Sequence, residues 1–258
     1  MYHQKNYLPF ESDASDRPWL FPFIRLRGDT PGPKITLIAA IHGDELNGIR
    51  MLHRLESLFI EKEIPLKGSI CLVPVANLMG YTNHSRYLPD RRDLNCIFPG
   101  LREGSEGARL AYFIWSHFVS DADFVIDVHS GSYNRWNFPH VRGDMKNEKM
   151  RAYAAQLTGH PILHSAGVVG SLRKEASKLG KPVFLVEAGE TGRFEKRVVE
   201  EGLTLLLKIL AVLGIVNPAD VQEFLPNAIS THPHGYYRKA VWQRATHAGL
   251  FIPQVEPG

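Results

Sequence analysis

Short apolar runs alternate along the chain with segments whose apolar residues recur every three or four positions, and each run gives way to glycine or polar residues. A strand covered on both faces reads as an unbroken apolar run, and the helix that covers it carries a single apolar stripe. The alternation therefore predicts an α/β protein in which crossover helices join the strands of a largely parallel sheet. Residues 35–41 (ITLIAAI) form the first such strand. Leu46, Ile49, Leu52, Leu55 and Phe59 place a helix over 45–61 with that face buried, and a strand returns over 69–75. Two further buried strands are predicted at 124–128 (FVIDV) and 182–186 (PVFLV). Helices are expected over 105–120 and 194–213, the latter stopped by Gly214 and Pro218.

Composition sets the outer limits. The 258 residues, 44% hydrophobic and 22% charged, suit one main globular domain, since single cores stop growing near about 250–300 residues. Lys and Arg number 30 against 27 acidic residues, a net charge of +3 with no basic block. Nucleic acid is therefore not an expected partner, a small-molecule or short peptide substrate is, and a homo-oligomer is left open. Cys71 and Cys96 allow at most one bridge and lack the CxxC spacing of a structural zinc site, which points to a reducing, cytoplasmic setting. Residues 1–16 lack the charged and apolar regions of a signal peptide, and the longest apolar stretch, 203–216, is interrupted by Lys208 and Gly214. Neither export nor a membrane span is expected. In such a setting the Asn83-His84-Ser85 sequon is a chance match.

In open α/β sheets ligands bind beyond the carboxyl ends of the strands, so the residues that follow each apolar run are the site candidates. His42 and Glu45 follow the first strand within His-Gly-Asp-Glu, His129 follows FVIDV, and Glu187 follows PVFLV. Two imidazoles and one carboxylate are the ligand set of a catalytic zinc with an open fourth position. Glu187 is then the free carboxylate that serves as general base and proton donor. The HxxE spacing alone is common by chance, and a lone histidine after a strand is more often structural than a ligand. What favours the metal is the second histidine and the spare glutamate, each at the end of a separate predicted strand.

Other residues have plainer readings. Residues 76–105 show no sustained period and contain Pro89 and Pro99, so a long functional loop is expected there. Asp127 shares a strand face with His129 and is either its hydrogen-bond partner or a structural aspartate. Glu190 is the nearest rival to Glu187, Ser130 and Ser132 lack a nucleophile elbow, and His232 and His234 are read as loop histidines. Cys96, near two arginines, is expected to be somewhat acidic.

Four motifs, HGDELNG at 42–48, RYLPDRRDLNCIFPG at 86–100, DVHSG at 127–131 and VEAG at 186–189, together resemble the succinylglutamate desuccinylase/aspartoacylase family of the zinc carboxypeptidase clan. The resemblance spans about residues 35 to 200. It implies a carboxypeptidase-like mixed, mainly parallel sheet flanked by helices, with one zinc held by His42, Glu45 and His129 and with Glu187 as the catalytic carboxylate. It further implies that Arg86 polarises the scissile carbonyl and that Asn95 lies in the segment holding the substrate's carboxylate. Arg91 and Arg92 stand close enough to Arg86 to compete for its role, and Arg92 and Arg135 are expected with Asn95 at the substrate. The activity implied is hydrolysis of the amide of a small N-acyl amino acid. The alternatives are a metallo-carboxypeptidase acting on short peptides and a zinc-binding protein without turnover.

Two departures from the family pattern stand out. The arginine that follows Asn95 in the DLNR motif is Cys96 here. A cysteine cannot make the two-pronged contact of a guanidinium with a carboxylate, so either the substrate lacks the usual α-carboxylate or another arginine, such as Arg135, Arg142 or Arg193, supplies the clamp. The catalytic domain is expected over 1–216, and 217–258 resembles only the start of the family's β-rich C-terminal domain, a truncated segment that implies a more open cleft or a partner chain covering it.

Overall fold

The computed structural model describes residues 1–12, 17–133, 135–225, 235–241, 243–250, 252 and 254. In chain order the strands are β1 (Tyr2–Ser12), β2 (Pro18–Arg27), β3 (Thr30–Ala39), β4 (Lys67–Val73), β5 (Phe124–Gly131), β6 (Asn137–Gly143), β7 (Ile162–His164), β8 (Val183–Glu190) and β9 (Tyr236–Tyr237). The helices are α1 (Leu46–Glu61), α2 (Leu78–Thr82), α3 (Glu106–Ile114), α4 (Glu148–Ala154), α5 (Leu172–Lys178), α6 (Lys196–Val212) and α7 (Pro218–Val221). All nine strands make one sheet in the order β1-β2-β4-β3-β5-β8-β6-β7-β9. Its centre, β4-β3-β5-β8, is parallel, whereas β1-β2, β2-β4 and β6-β8 pair antiparallel.

The predicted apolar runs all became central strands, and both faces of the sheet are covered. On β3, Ile35, Leu37 and Ala39 meet Met51, Leu52, Leu55 and Phe59 of α1 and the apolar face of α6. Ile38, between them, points to the opposite layer with Leu110 and Ile114 of α3 and Leu172 and Ala176 of α5. Helix α1 matches its sequence expectation to within a residue, and α3 continues as a π-helical turn over Trp115–Val119.

The chain between 76 and 105 is less bare than expected. It holds α2 and a single 3-10 turn at Leu94–Cys96. Strands β1, β2, β6 and β7 and helices α4 and α5 carried no strong sequence period. Within 217–258, α7 buries Val221 in the core, and β9 pairs with β7 at the sheet edge. His232 and His234 lie outside the described residues. No helix among the described residues is long and apolar enough to cross a membrane.

Candidate active site

The carboxyl ends of β3, β5 and β8 lie side by side, and this juxtaposition builds the site. Beyond β3, Ala40 takes a left-handed φ of 50°, uncommon for a residue with a Cβ, and turns the chain out of the sheet. His42 and Glu45 then face the same way because the backbone closes a tight turn, with Glu45 N donating to His42 O at 3.1 Å. Gly43 sits against the backbone of α2, and a Cβ there would lie 2.0 Å from the carbonyl carbon of Gly80. Glu45 is the N-cap of α1, yet its side chain makes no capping bond, being directed elsewhere.

That direction is toward two imidazoles. Glu45 Oε1 lies 2.7 Å from His42 Nδ1, Oε2 lies 2.9 Å from His129 Nδ1, and the two Nδ1 atoms are 3.2 Å apart. Ser130 N donates to Oε2 at 3.0 Å. All three residues are at least 97% buried, and together they form a group able to hold a metal ion.

The far side of each ring supplies the test of fit. His42 Nε2 is 3.2 Å from Asp93 Oδ1, and His129 Nε2 is 2.9 Å from Asp127 Oδ1, the latter too oblique for an aligned hydrogen bond. A carboxylate beside each Nε2 favours the proton there, which leaves two Nδ1 lone pairs and a carboxylate aimed at one buried point. Only positive charge relieves that convergence. The proton affinities agree: burial opposes charging either ring, but Asp127 and Glu45 push His129 well above its ordinary value, and Glu45 and Asp93 push His42 up. Burial acts to raise the Glu45 pKa, and the two rings outweigh it, holding the carboxyl far below the usual range. The donors present fit a divalent cation such as zinc.

Glu187 stands one strand away, its backbone in register with His129 across β5 and β8. Its Oε2 accepts from Asn137 Nδ2 at 2.7 Å, and its Oε1 lies 3.6 Å from Arg142 Nη2. Arg86 comes in from the long loop. Its Nε and Nη2 donate to Asp93 Oδ2 at 3.1 and 2.7 Å, and Nη1 is 3.7 Å from Glu45 Oε1. Glu45, Arg86, Asn137, Arg142 and Glu187 line one cavity of about 480 Å³ together with Asn95, Arg135 and Arg173.

The remaining sequence candidates separate clearly. Arg92 lies outside the cavity because its guanidinium is drawn to Ser105 Oγ at 2.7 Å and Asp90 at 3.5 Å. Arg193 is also outside, paired at 2.6 Å with Glu190, the rival to Glu187. Arg135 lines the cavity but folds back to donate to the carbonyl and hydroxyl of Ser132 at 2.8 and 2.7 Å. Arg142 serves Glu187 and donates to His140 Nε2 at 3.0 Å. Cys96 is corrected: partial burial and the nearby Asp93 push its thiol up, outweighing Arg86, so it is not acidified. Three contributors had no role in the sequence reading. Asp93 sits inside the RRDLNC stretch, whereas Asn137 and Arg173 carried no signal, lying on short elements without a motif.

Against this geometry, a sequence model of the succinylglutamate desuccinylase/aspartoacylase catalytic domain matches residues 31–213. An N-alpha-acetyl-L-2,4-diaminobutyric acid deacetylase of Halomonas elongata is 31% identical over 135 residues, 50% of this chain and 39% of that protein. The match thus spans well under half the length of this curated relative. The product-bound ectoine utilization protein EutE (DoeB) of Ruegeria pomeroyi aligns with a TM-score of 0.73 at 24% identity, covering 84% of this chain and 68% of its own. A succinylglutamate desuccinylase/aspartoacylase from Rhodobacter sphaeroides aligns at 0.72 and 23% identity, over 83% of this chain and 66% of its own. At such identities the structural likeness establishes the fold. With the catalytic-domain match covering every residue of the centre described above, the chain belongs to the succinylglutamate desuccinylase/aspartoacylase family.

Proposed function

We propose that the protein is a zinc-dependent hydrolase that cleaves the amide bond of a small N-acyl amino acid or a related amide. The observation that carries this reading is the convergence of His42 Nδ1, His129 Nδ1 and the Glu45 carboxylate on one buried point, with Glu187 on the adjacent strand. The matched relative named as a deacetylase of an N-acetylated amino acid supports the substrate class. A zinc ion held by those three residues supplies Lewis acidity to the scissile carbonyl and to water.

The chain's own residues do the rest. Asn137 holds Glu187 through Oε2, and Oε1, 3.6 Å from Arg142 Nη2, takes a proton from the attacking water and returns it to the departing amine nitrogen. Arg86, held in place by Asp93, faces the carbonyl oxygen as negative charge develops there, a contribution of roughly 10²- to 10³-fold in rate. Asn95 and the cavity arginines are the candidates for holding the amino-acid half of the substrate.

Elemental analysis of the purified protein, combined with a panel of N-acyl amino acids and dipeptides, tests the reading. The expected result is one zinc per chain and release of the acyl group. Release of amino acids from peptides alone would make the protein a peptidase instead. Stoichiometric zinc with silence across the panel would make it a binding protein.

A further inference from the structure

We infer that Glu195 is a positioning residue for the reaction: through Trp136 it fixes the start of β6, and with it the Asn137 amide that holds Glu187. The inference rests on the hydrolase reading, in which Glu187 moves the proton, and names a residue outside the cavity that keeps that carboxylate aimed.

Glu195 is the N-cap of α6, a place where Ser, Thr, Asp or Asn serves a helix better. Its side chain makes no capping bond. It crosses instead to two other segments, Oε2 accepting from Trp136 Nε1 at 3.1 Å and Oε1 from Glu190 N at 3.2 Å. Arg193, 3.9 Å from Oε2, is drawn to Glu190 instead. Glu45 is likewise a cap residue, of α1, whose carboxylate is spent on the site and not on its own helix. The backbone N of Glu195 donates to Oδ1 of the fully buried Asn47 at 2.9 Å, and Asn47 Nδ2 donates to Glu190 O at 3.1 Å.

These bonds tie the head of α1, the end of β8 and the head of α6 into one frame. The frame accounts for two motif residues that have no part in the cavity, Asn47 of HGDELNG and Gly189 of VEAG. Gly189, at φ 66°, lies so close to it that a Cβ would stand 2.7 Å from Glu195 Oε1 and 2.8 Å from Asn47 Nδ2.

The frame reaches the base through two consecutive residues. Trp136 packs against the core shared with α1 and α6, while Asn137 lines the cavity and donates to Glu187 Oε2 at 2.7 Å. Asn137 stands opposite Gly189 in the antiparallel pairing of β6 with β8, and the register shifts before His140, the residue opposite Glu187. A ladder disrupted at that point constrains the start of β6 weakly. The bond from the indole to a carboxylate, stronger than one to a neutral acceptor, supplies the missing constraint. Neither Trp136 nor Glu195 lines the cavity, so both act on the reaction through Asn137.

Trp136→Phe is the direct test, because it keeps a ring in the core and removes the one donor by which Glu195 grips β6. Glu195→Gln is its companion, since a glutamine oxygen can serve only one of the two N–H groups at full strength. On the N-acyl amino acid that the wild type hydrolyses best, each variant should lose about 10- to 100-fold in kcat, the scale of a small misplacement near reacting atoms. KM and zinc content should stay as in the wild type. A general structural defect would add to any other change, so the deciding measurement is made in the Asn137→Ala background. There Trp136→Phe should cost less than about twofold, since the link it breaks is already gone. Unchanged kcat in Trp136→Phe, an equal loss in both backgrounds, or a loss confined to KM would overturn the inference. If Glu195→Gln does not fold, Trp136→Phe still decides. Crystal structures of the wild type and Trp136→Phe give a readout independent of turnover: the Asn137–Glu187 contact should be displaced in the variant, and an unmoved pair would overturn the inference. A wild type inert across the panel would sink the hydrolase reading, and those two structures would then decide by themselves whether Glu195 fixes Glu187.

Discussion

Asp93 Oδ1 lies 3.2 Å from Nε2 of His42 while the other oxygen of the same carboxylate receives both Nε and Nη2 of Arg86. One side chain thereby fixes the ring orientation of a candidate metal ligand and the position of the cation beside it. Asp93→Asn keeps the shape but turns an acceptor into a donor toward Arg86. We expect metal affinity to fall about 10- to 100-fold, as for other carboxylates behind metal-bound histidines, with activity falling alongside. Competition against a chelator measures the first effect, and an unchanged affinity would remove Asp93 from the centre.

Glu187→Gln preserves the contact with Asn137 but cannot move a proton. Turnover should drop by about 10²- to 10⁴-fold with zinc content unaltered. Activity close to wild type in that variant would exclude Glu187 as the base.

His129→Ala removes one of three donors from a buried site. The variant should be purified without stoichiometric zinc, and the rise in melting temperature that zinc confers on the wild type should vanish. A normal zinc content would show that the ion sits elsewhere.

Gly43→Ala should be structurally severe, because the added methyl meets backbone at 2.0 Å and not the yielding end of a side chain. A loss of about 1–3 kcal/mol or more is expected from such overpacking, visible as a lower melting temperature together with weaker metal binding, since the turn positions His42 and Glu45. Wild-type stability would mean that α2 can move aside.

Glu56 on α1 anchors β1 through His3 at 2.8 Å and Lys5 at 3.1 Å. Burial acts to raise its pKa, but His3 and Lys5 outweigh it, leaving the carboxyl below its ordinary value of 4.5. A depressed folded-state pKa means that the stabilisation is complete above about 4.5 and is lost as pH falls through the lowered value. Denaturant titrations of wild type and Glu56→Gln should differ by about 0.2–1 kcal/mol at neutral pH and converge in acid. A difference that persists unchanged at low pH would contradict the ion-pair origin.

The central strands and α1 were legible in the chain because burial on both faces demands unbroken apolar runs, and a covering helix demands a stripe of period near 3.6. Their carboxyl ends pointed to His42, Glu45, His129 and Glu187, since an α/β sheet exposes side chains for chemistry at that edge. Strand β1 was not legible. Its hydrogen bonds are defined by β2, and a sheet edge imposes no strict pattern on the residues that form it.

The same division runs through the cavity. Local order along the chain settled the central strands, α1 and the residues that end them, because burial patterns and turns act over a few neighbours. Folding alone decided which arginines line the cavity. Arg92 and Arg193, adjacent to the motifs, are drawn outward by nearby carboxylates, while Arg173, far from Cys96 in sequence, is brought in by the contact of Gly170 with its backbone. The partner a charged side chain finds depends on packing between distant segments, and no local pattern of residues encodes that distance.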